Sequence, residues 1–231
     1  MDLTTCLRLL QKIYALHADF CAPFEVACRE GCAVCCTANV TLTTLEGRLI
    51  LNHWRDSGQG PPWADLEAAA RRPRFQPALT LNHMAALCLQ GAPVPDEEAD
   101  PEVGPCPLLE NNRCSIYAAR PLGCRAMVSR AVCAPGGAAE MPEEILAANH
   151  LCMQYIEALD AQGLSGNLVD VILFLSGTDT LTVGATAGKI VPPAALAANR
   201  TLPVLMIPPE LHRRLLPLVQ AIQKHLHAIA E

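Results

Sequence analysis

The sequence predicts a mainly α-helical fold, a compact helical domain with little or no β-sheet in which a loop-rich cysteine cluster holds a metal centre. Apolar residues recur at helical spacing in most segments, and no apolar–polar alternation is long enough to indicate a sheet. Eight of the twelve cysteines fall in two dense groups, and the second group lies among Pro and Gly residues that favour turns. Because 231 residues can bury an ample core, a metal is not needed merely to compensate for small size.

We interpret the whole chain, residues 1–231, as a single domain with two regions. Residues 26–133 carry the clustered cysteines, and residues 140–231 form a helical C-terminal extension. No internal repeat relates the two regions, so each has to be interpreted from its own residues.

Four helices are predicted in the first half of the chain. The first covers about the first 20 residues, where apolar positions recur every three to four residues. The second begins at a capping box formed by Thr43 and Glu46 and reaches about Trp54. Two further helices are predicted over residues 63–72 and 79–90.

Three helices are predicted in the second half. One covers residues 142–159 and has acidic residues at its positive N-terminal end. Another is predicted over residues 167–175, and residues 180–207 are expected to be irregular. The chain closes with a long amphipathic helix over residues 211–229.

Charge and hydropathy argue against two kinds of partner. The net charge is −6 and no basic stretch is interleaved with aromatics, so no nucleic acid is expected to bind. Residues 1–20 lack the charged-then-apolar layout of a secretory signal, which predicts a cytoplasmic protein. The most apolar later run, residues 168–175, contains Asp170 and is shorter than the roughly 20 residues that cross a bilayer. No membrane insertion is therefore expected.

The cysteine groups indicate metal ligation, because the cytosol keeps thiols reduced and disulfides are rare there. The first group has the order Cys-x3-Cys-x2-Cys-Cys, and the second is spaced by seven, nine and eight residues across a loop-rich stretch. About 70 residues separate the groups, so a common site would be assembled from distant parts of the chain. The groups are Cys28, Cys32, Cys35 and Cys36, followed by Cys106, Cys114, Cys124 and Cys133.

Thiolates suit both tetrahedral zinc and iron–sulfur clusters, so the residue types leave the metal open. We favour an iron–sulfur cluster of the 4Fe-4S type, with zinc as the alternative, because eight thiols flanked by arginines suit a large anionic cofactor. Arg120 and Arg125 are the arginines expected to lie beside that cofactor. Adjacent Cys35 and Cys36 cannot easily point the same way. We therefore expect them to serve different metals, or one of them to be a spare or reactive thiol.

The remaining cysteines and the histidines are interpreted as packing residues. A cysteine that stands alone in a helical pattern behaves as a small buried apolar residue, and the histidines are too scattered to form a ligand set. The single cysteines are Cys6, Cys21, Cys88 and Cys152, and the histidines considered as ligands are His17, His53, His83 and His150.

Three stretches resemble the YkgJ family of cysteine-cluster proteins, also described as zinc- or iron-chelating domains. They are Cys-Arg-Glu-Gly-Cys-Ala-Val-Cys-Cys at 28–36, Val-Thr-Leu-Thr-Thr-Leu-Glu-Gly at 40–47, and the segment 106–125, which begins Cys-Pro-Leu-Leu-Glu-Asn-Asn-Arg-Cys. The resemblance implies chelation by the first seven clustered cysteines, and Ser129 and Cys133 resemble a weaker extension of the pattern. The family includes relatives of flagellin lysine methylase, but the resemblance implies no established reaction.

The sequence thus predicts a metal-binding protein whose cysteines carry an iron–sulfur cluster with an electron-transfer, redox-sensing or accessory role. A structural zinc module and a cluster-dependent enzyme such as a protein methyltransferase are the alternatives. The Cys-x3-Cys-x2-Cys spacing also occurs in radical S-adenosylmethionine enzymes, but the chain shows no strand–helix succession for their barrel and Cys36 would go unexplained. A protein redox partner or a substrate is expected, and the sequence does not identify it.

Overall fold

Helices form most of the regular structure in the computed structural model, and strands form only two small sheets within the described residues. The prediction of a mainly α-helical fold is therefore confirmed. None of the helices described is both long enough and apolar enough to cross a bilayer. The structure describes residues 1–29, 31–99, 103–134, 137–177 and 193–228.

The four predicted helices of the first half are all present, with ends that differ by a few residues. They are α1 (Leu3–Cys21), α2 (Thr44–Ser57), α3 (Trp63–Ala70) and α4 (Leu81–Leu89). The Asp2 side chain caps α1 by accepting from the Thr5 backbone N–H at 3.0 Å. The capping box predicted at Thr43 and Glu46 begins α2, and both of its hydrogen bonds are formed.

The helices predicted in the second half are also present, together with one short helix inside the cysteine-bearing stretch. Residues 180–192 and Ile229, which belong to two of the predicted segments, lie outside the described residues. Residues 193–207 are irregular, as predicted, apart from one short strand. The helices are α5 (Leu122–Arg125), α6 (Glu143–Leu159), α7 (Leu168–Gly177) and α8 (His212–His227).

A small antiparallel sheet was not predicted from the sequence. Its strands are β1 (Thr41–Thr43), β4 (Leu164–Asn167) and β5 (Leu196–Ala198), and β4 is the central strand. Leu42 pairs with Gly166, which in turn pairs with Leu196. Strands of three or four residues are too short for apolar–polar alternation to stand out, which explains why the sequence did not indicate them.

A second sheet is a two-stranded hairpin formed by β2 (Leu109–Glu110) and β3 (Arg113–Cys114). Its two turn residues, Asn111 and Asn112, have φ angles of 51° and 61°. Asparagine tolerates this left-handed conformation better than most residues, and two-residue turns of this hand match the twist of paired strands. The Asn–Asn pair therefore folds the chain back within the cysteine-bearing stretch.

Two groups of buried apolar side chains form the core of the described structure. The α1–α6–α8 core is built around side chains such as Leu10, Leu151 and Leu215. The sheet-side core contains α2, α3, α7 and the three-stranded sheet, with Ile50 and Ile172 fully buried. Because the chain buries this much apolar surface in helices and sheet, these parts provide a rigid frame for the loops that carry the thiols.

Candidate metal centre

The clustered cysteines lie on the cysteine loops, which we define as residues 22–29, 31–40 and 103–134. The first loop follows α1 and consists of tight turns, in which the Cys32 N–H donates to Arg29 O at 3.0 Å and the Cys36 N–H to Ala33 O at 3.0 Å. Gly31 has a φ of 82°, a conformation that residues with a Cβ rarely adopt. These turns keep the four thiols of the first group close together.

Backbone pairing joins the two loops. Thr37 forms an isolated antiparallel bridge with Pro105, and the Cys106 N–H donates to Cys36 O at 2.9 Å. The Ala38 N–H donates to Gly104 O at 3.1 Å. The structure thus brings together two stretches that about 70 residues separate in sequence.

Cys106 and Cys114 are held side by side by the β2–β3 hairpin. The Leu109 N–H donates to Cys106 O at 3.1 Å, and Leu109 pairs with Cys114 across the hairpin. Both cysteines are partly buried and pack against the sheet-side core. Burial raises the pKa of the Cys106 thiol, and the neighbouring Cys114 raises it further.

Cys124 lies on the short helix α5, near Cys106 and Cys114. Glu46 anchors this helix, since its Oε1 accepts from the Leu122 N–H and from the Tyr14 hydroxyl, both at 2.8 Å. A Cβ added at Gly123 would lie 3.0 Å from Thr41 O, so the glycine permits α5 to approach β1 closely. Burial raises the pKa of Cys124, and the nearby Cys106 and Cys114 thiols add to that rise.

Cys28 and Cys133 lie near each other, where the first loop contacts the end of the second. The Ser129 N–H donates to Cys28 Sγ at 3.3 Å, and the Ala27 N–H donates to Ser129 O at 2.8 Å. Burial raises the pKa of Cys28, and Cys32, Cys35 and Cys133 lie close enough to raise it further. Cys32 is exposed to solvent, whereas the other clustered cysteines are half-buried.

The adjacent thiols of Cys35 and Cys36 interact with each other. The neighbouring Cys36 thiol raises the pKa of Cys35, and the neighbouring Cys35 thiol lowers that of Cys36. Cys36 also lies near Cys124, Cys106 and Cys114, whose charges oppose the lowering of its pKa. Cys35 instead lies near Cys28, so the two adjacent residues have different neighbours.

Arg120 presents an unpartnered donor beside the thiols. Its Nε is buried and has no hydrogen-bond partner among the described residues, although its guanidinium carbon lies 3.9 Å from the centre of the Tyr117 ring. The positive charge of Arg120 opposes the upward pKa shifts of Cys114 and Cys124, which burial causes. A buried N–H without a partner costs free energy unless a bound group accepts from it.

Arg125, the second arginine predicted beside the cofactor, has a different environment. Its Nε donates to Arg120 O at 2.8 Å and its Nη2 to Ala118 O at 2.7 Å. Its guanidinium carbon also lies 4.5 Å from the centre of the Tyr14 ring. Arg125 therefore supports the backbone that carries Arg120, and its charge lies near the Cys124 thiol.

The donor set of the cysteine loops fits a thiophilic metal or an iron–sulfur cluster. All twelve cysteines are free thiols, so none of the clustered ones is consumed in a disulfide. Among the described residues, no three Cys, His, Asp or Glu side chains already form a cage for a single ion. The fit therefore rests on the chemistry of eight neighbouring thiols and on the unpartnered Arg120 donor.

The single cysteines agree with the sequence interpretation in part. Cys6 and Cys152 are buried as predicted, and Cys21 is half-buried. The prediction for Cys88 is wrong, because this residue lies exposed in the last turn of α4. α4 is apolar on most of its surface, so its sequence does not indicate which face packs inward.

The structure also shows supporting residues that sequence reasoning did not identify. Glu46 was predicted only as a capping residue, yet its buried carboxylate also holds α5, the helix of Cys124. His17 is buried, and its Nε2 lies 2.7 Å from Asn149 Oδ1. Asn149 in turn donates to Ala126 O at 3.1 Å, which links α6 to the residue after α5. No sequence signal beyond the capping box pointed to these contacts.

Comparison with known proteins identifies the cysteine pattern. A family model, CxxCxxCC, described as a putative zinc- or iron-chelating domain, matches residues 27–153. The match covers more than half of the chain, includes both cysteine loops and continues through most of α6. Searches of curated proteins and of solved structures find no match.

Proposed function

This chain belongs to the CxxCxxCC family of zinc- or iron-chelating domains, the YkgJ-type cysteine-cluster family, and we propose that it binds an iron–sulfur cluster through its clustered thiols. We propose an electron-transfer, redox-sensing or accessory role for that cluster. Metal binding as such is supported by the family. The choice of cluster and the role are our proposal.

The number of neighbouring thiols supports a site that holds more than one metal ion. Eight cysteines from two distant stretches lie together on the cysteine loops, more than the four that one tetrahedral zinc ion needs. A cubane cluster takes one thiolate per iron and carries net negative charge. The eight cysteines of the proposal are Cys28, Cys32, Cys35, Cys36, Cys106, Cys114, Cys124 and Cys133.

The environment of Arg120 is the observation that carries the proposal. A buried, unpartnered guanidinium N–H beside several thiols is unfavourable unless a negatively charged group accepts its hydrogen bond. Metal-bound thiolates and cluster sulfides are such acceptors, and hydrogen bonds to cluster sulfurs are among the features that set a reduction potential.

The residues around the thiols have separate tasks in this proposal. The cysteine thiolates would hold the group, which when bound accepts and releases one electron at a time. Arg120 would offset negative charge, while Glu46 and Arg125 hold the backbone that leads into Cys124. Cys32 is exposed, so the group would lie near the surface, where a protein redox partner can approach.

A structural zinc module is the second candidate, and one observation favours it. Cys106 and Cys114 pack against the sheet-side core beside Cys36 and Cys124, and four thiolates are the usual ligand set of structural zinc. In either case we propose that the protein works in the cytoplasm, where thiols stay reduced.

Anaerobic purification followed by iron, sulfide and zinc analysis tests the proposal. We expect protein with broad absorption in the blue and with iron and acid-labile sulfide in equal amounts. Cys88→Ser is a suitable control, because Cys88 is exposed on α4 and outside the cysteine loops. Colourless protein with stoichiometric zinc would select the zinc module, and protein without any bound metal would contradict both candidates.

A further inference from the structure

We propose that the eight thiols form two separate centres of four ligands each, and that the division does not follow their order in the sequence. The inner centre consists of Cys36, Cys106, Cys114 and Cys124, and the outer centre of Cys28, Cys32, Cys35 and Cys133. This inference rests on the proposed function, since it concerns the same metal-binding thiols. Cys36, from the first sequence group, thus joins three cysteines of the second group, and Cys133, from the second group, joins three cysteines of the first.

Backbone contacts assemble the inner centre. The Cys106 N–H donates to Cys36 O at 2.9 Å, which places the last cysteine of the first loop beside the first cysteine of the second. The hairpin keeps Cys114 next to Cys106, since the partner of Cys114 in the ladder, Leu109, donates to Cys106 O. Glu46 holds the helix of Cys124 against this group from the α2 side.

The electrostatic neighbours of the inner thiols agree with these contacts. The neighbouring Cys35 has the largest effect on the pKa of Cys36 and lowers it, while burial and the nearby Cys124, Cys106 and Cys114 thiols raise it. For Cys124 burial has the largest effect, followed by Cys106 and Cys114. The four thiols thus lie within mutual electrostatic range.

A different set of contacts assembles the outer centre. The Cys28 thiol accepts from the Ser129 N–H at 3.3 Å, and the Ala27 N–H donates to Ser129 O. These two bonds hold the second cysteine loop, at Ser129, against the first cysteine loop. Cys133 follows Ser129 by four residues and lies close enough to Cys28 to raise its pKa, after the larger effect of burial. Cys32 and Cys35 are the other thiols with this effect on Cys28.

Cys35 and Cys36 are the junction between the centres. They are consecutive residues, yet Cys35 lies near Cys28, whereas the Cys36 backbone accepts from the Cys106 N–H and its thiol lies near the three inner thiols of the second loop. Neighbouring side chains on a turn diverge, so two adjacent cysteines can ligate adjacent centres. The charge of Arg120 reaches Cys35 as well as Cys114 and Cys124, which places Arg120 beside this junction.

The two centres differ in their exposure to solvent. In the outer centre Cys32 is exposed, and none of its four cysteines is among the described side chains that form the two apolar cores or pack against them. In the inner centre Cys106 and Cys114 pack against the sheet-side core, next to the buried Leu108 and Ile116. We therefore expect a chelator to remove the metal of the outer centre first.

Two double variants of the full-length chain distinguish this division from the sequence groups. Cys32→Ser/Cys133→Ser removes two ligands of the outer centre only, so it is expected to retain about half of the wild-type metal. Cys32→Ser/Cys36→Ser removes one ligand from each centre and is expected to lose most of the metal. A division that follows the sequence order predicts the reverse, because Cys32 and Cys36 would then share a centre. Metal and sulfide per chain are the measurements.

The wild-type protein provides a second test that needs no substitution. A chelator is added in limiting amounts, and newly accessible thiols are alkylated and identified by mass spectrometry. We expect two phases of metal release, with Cys28, Cys32, Cys35 and Cys133 alkylated in the first phase. Release in a single phase, with all eight cysteines alkylated together, would overturn the division.

The two proposals fail in different ways. Wild-type protein that binds no metal would contradict the proposed function. Wild-type protein with a full complement of metal whose double variants show the reversed pattern would contradict only the division into these two centres. Cys88→Ser/Cys21→Ser is the matched control, since it also removes two thiols, and it is expected to bind as much metal as the wild type.

Discussion

The cysteine loops and the α1–α6–α8 core are held together by different means. In the core, long helices bury side chains such as Leu10 and Leu151 completely, so apolar burial stabilises the arrangement. In the loops, turns, a two-stranded hairpin, the four-residue helix α5 and isolated backbone hydrogen bonds replace long helices, and one of the four thiols of the first group is exposed. This difference indicates that the core folds through its apolar residues, whereas the loops depend on what the thiols bind.

Metal removal is expected to have the largest effect on stability, and that effect is expected to be confined to the cysteine loops. Apparent binding free energies of structural zinc in zinc-finger peptides are roughly 10–16 kcal/mol, and thiolate-held metal on these loops is expected to be the main stabilisation that chelation removes. We expect rapid proteolytic cleavage within residues 22–29, 31–40 and 103–134, with most of the helical circular dichroism retained. Collapse of the helical signal together with loop cleavage would show that the core also depends on the metal.

Leu151→Ala tests how far apolar burial stabilises the α1–α6–α8 core. Leu151 is fully buried in α6, and truncation of such a leucine costs roughly 2–5 kcal/mol of unfolding free energy. We expect the midpoint of chemical denaturation to fall while the folded variant keeps its metal content. The exposed Leu89→Ala is the matched control and should leave the midpoint nearly unchanged. A folded Leu151→Ala protein without metal would show that the two regions are coupled.

Arg120→Gln probes the loops without removing a ligand. Loss of a residue that supports metal ligands typically lowers metal affinity by about 10- to 100-fold, and Arg120 has the unpartnered donor beside the thiols. We expect weaker metal retention in competition with a chelator and little change in denaturation of the core. Arg55→Gln, which alters an exposed ion pair, is the control. Equal retention by both variants would remove Arg120 from the site.

His17 provides the smallest expected effect, on the pH dependence of the core. Burial holds the pKa of His17 below its usual value near 6.5, so the unfolded chain binds this proton more readily than the folded one. The free energy of folding that neutral His17 contributes is therefore complete above about pH 6.5, and it is lost as the pH falls towards the folded pKa. The loss is no more than about 1.4 kcal/mol per pH unit. Denaturation of the wild type and His17→Gln between pH 7.5 and 5.5 measures it. A steeper pH dependence in the variant would contradict this assignment.

The sequence was most informative where structure follows from neighbouring residues. The periodicity of α1, α6 and α8 and the capping box of Thr43 and Glu46 predicted helices that the structure contains. The three-stranded sheet was missed because its strands are short, and Cys88 was misplaced because α4 has no clear polar face. The role of Glu46 in holding α5 could not be foreseen, since Leu122 lies 76 residues further along the chain.

By itself, the sequence determined that the protein is mainly helical, that eight cysteines form two dense groups and that it belongs with metal-chelating domains. Only the tertiary structure decided which thiols are neighbours, and that Arg120 presents an unpartnered donor to them. The physical reason is that helical periodicity, caps and cysteine spacing are local properties of the chain. The neighbours of a side chain at Cys36 or Cys133 instead depend on how two loops, separated by several packed helices, come together.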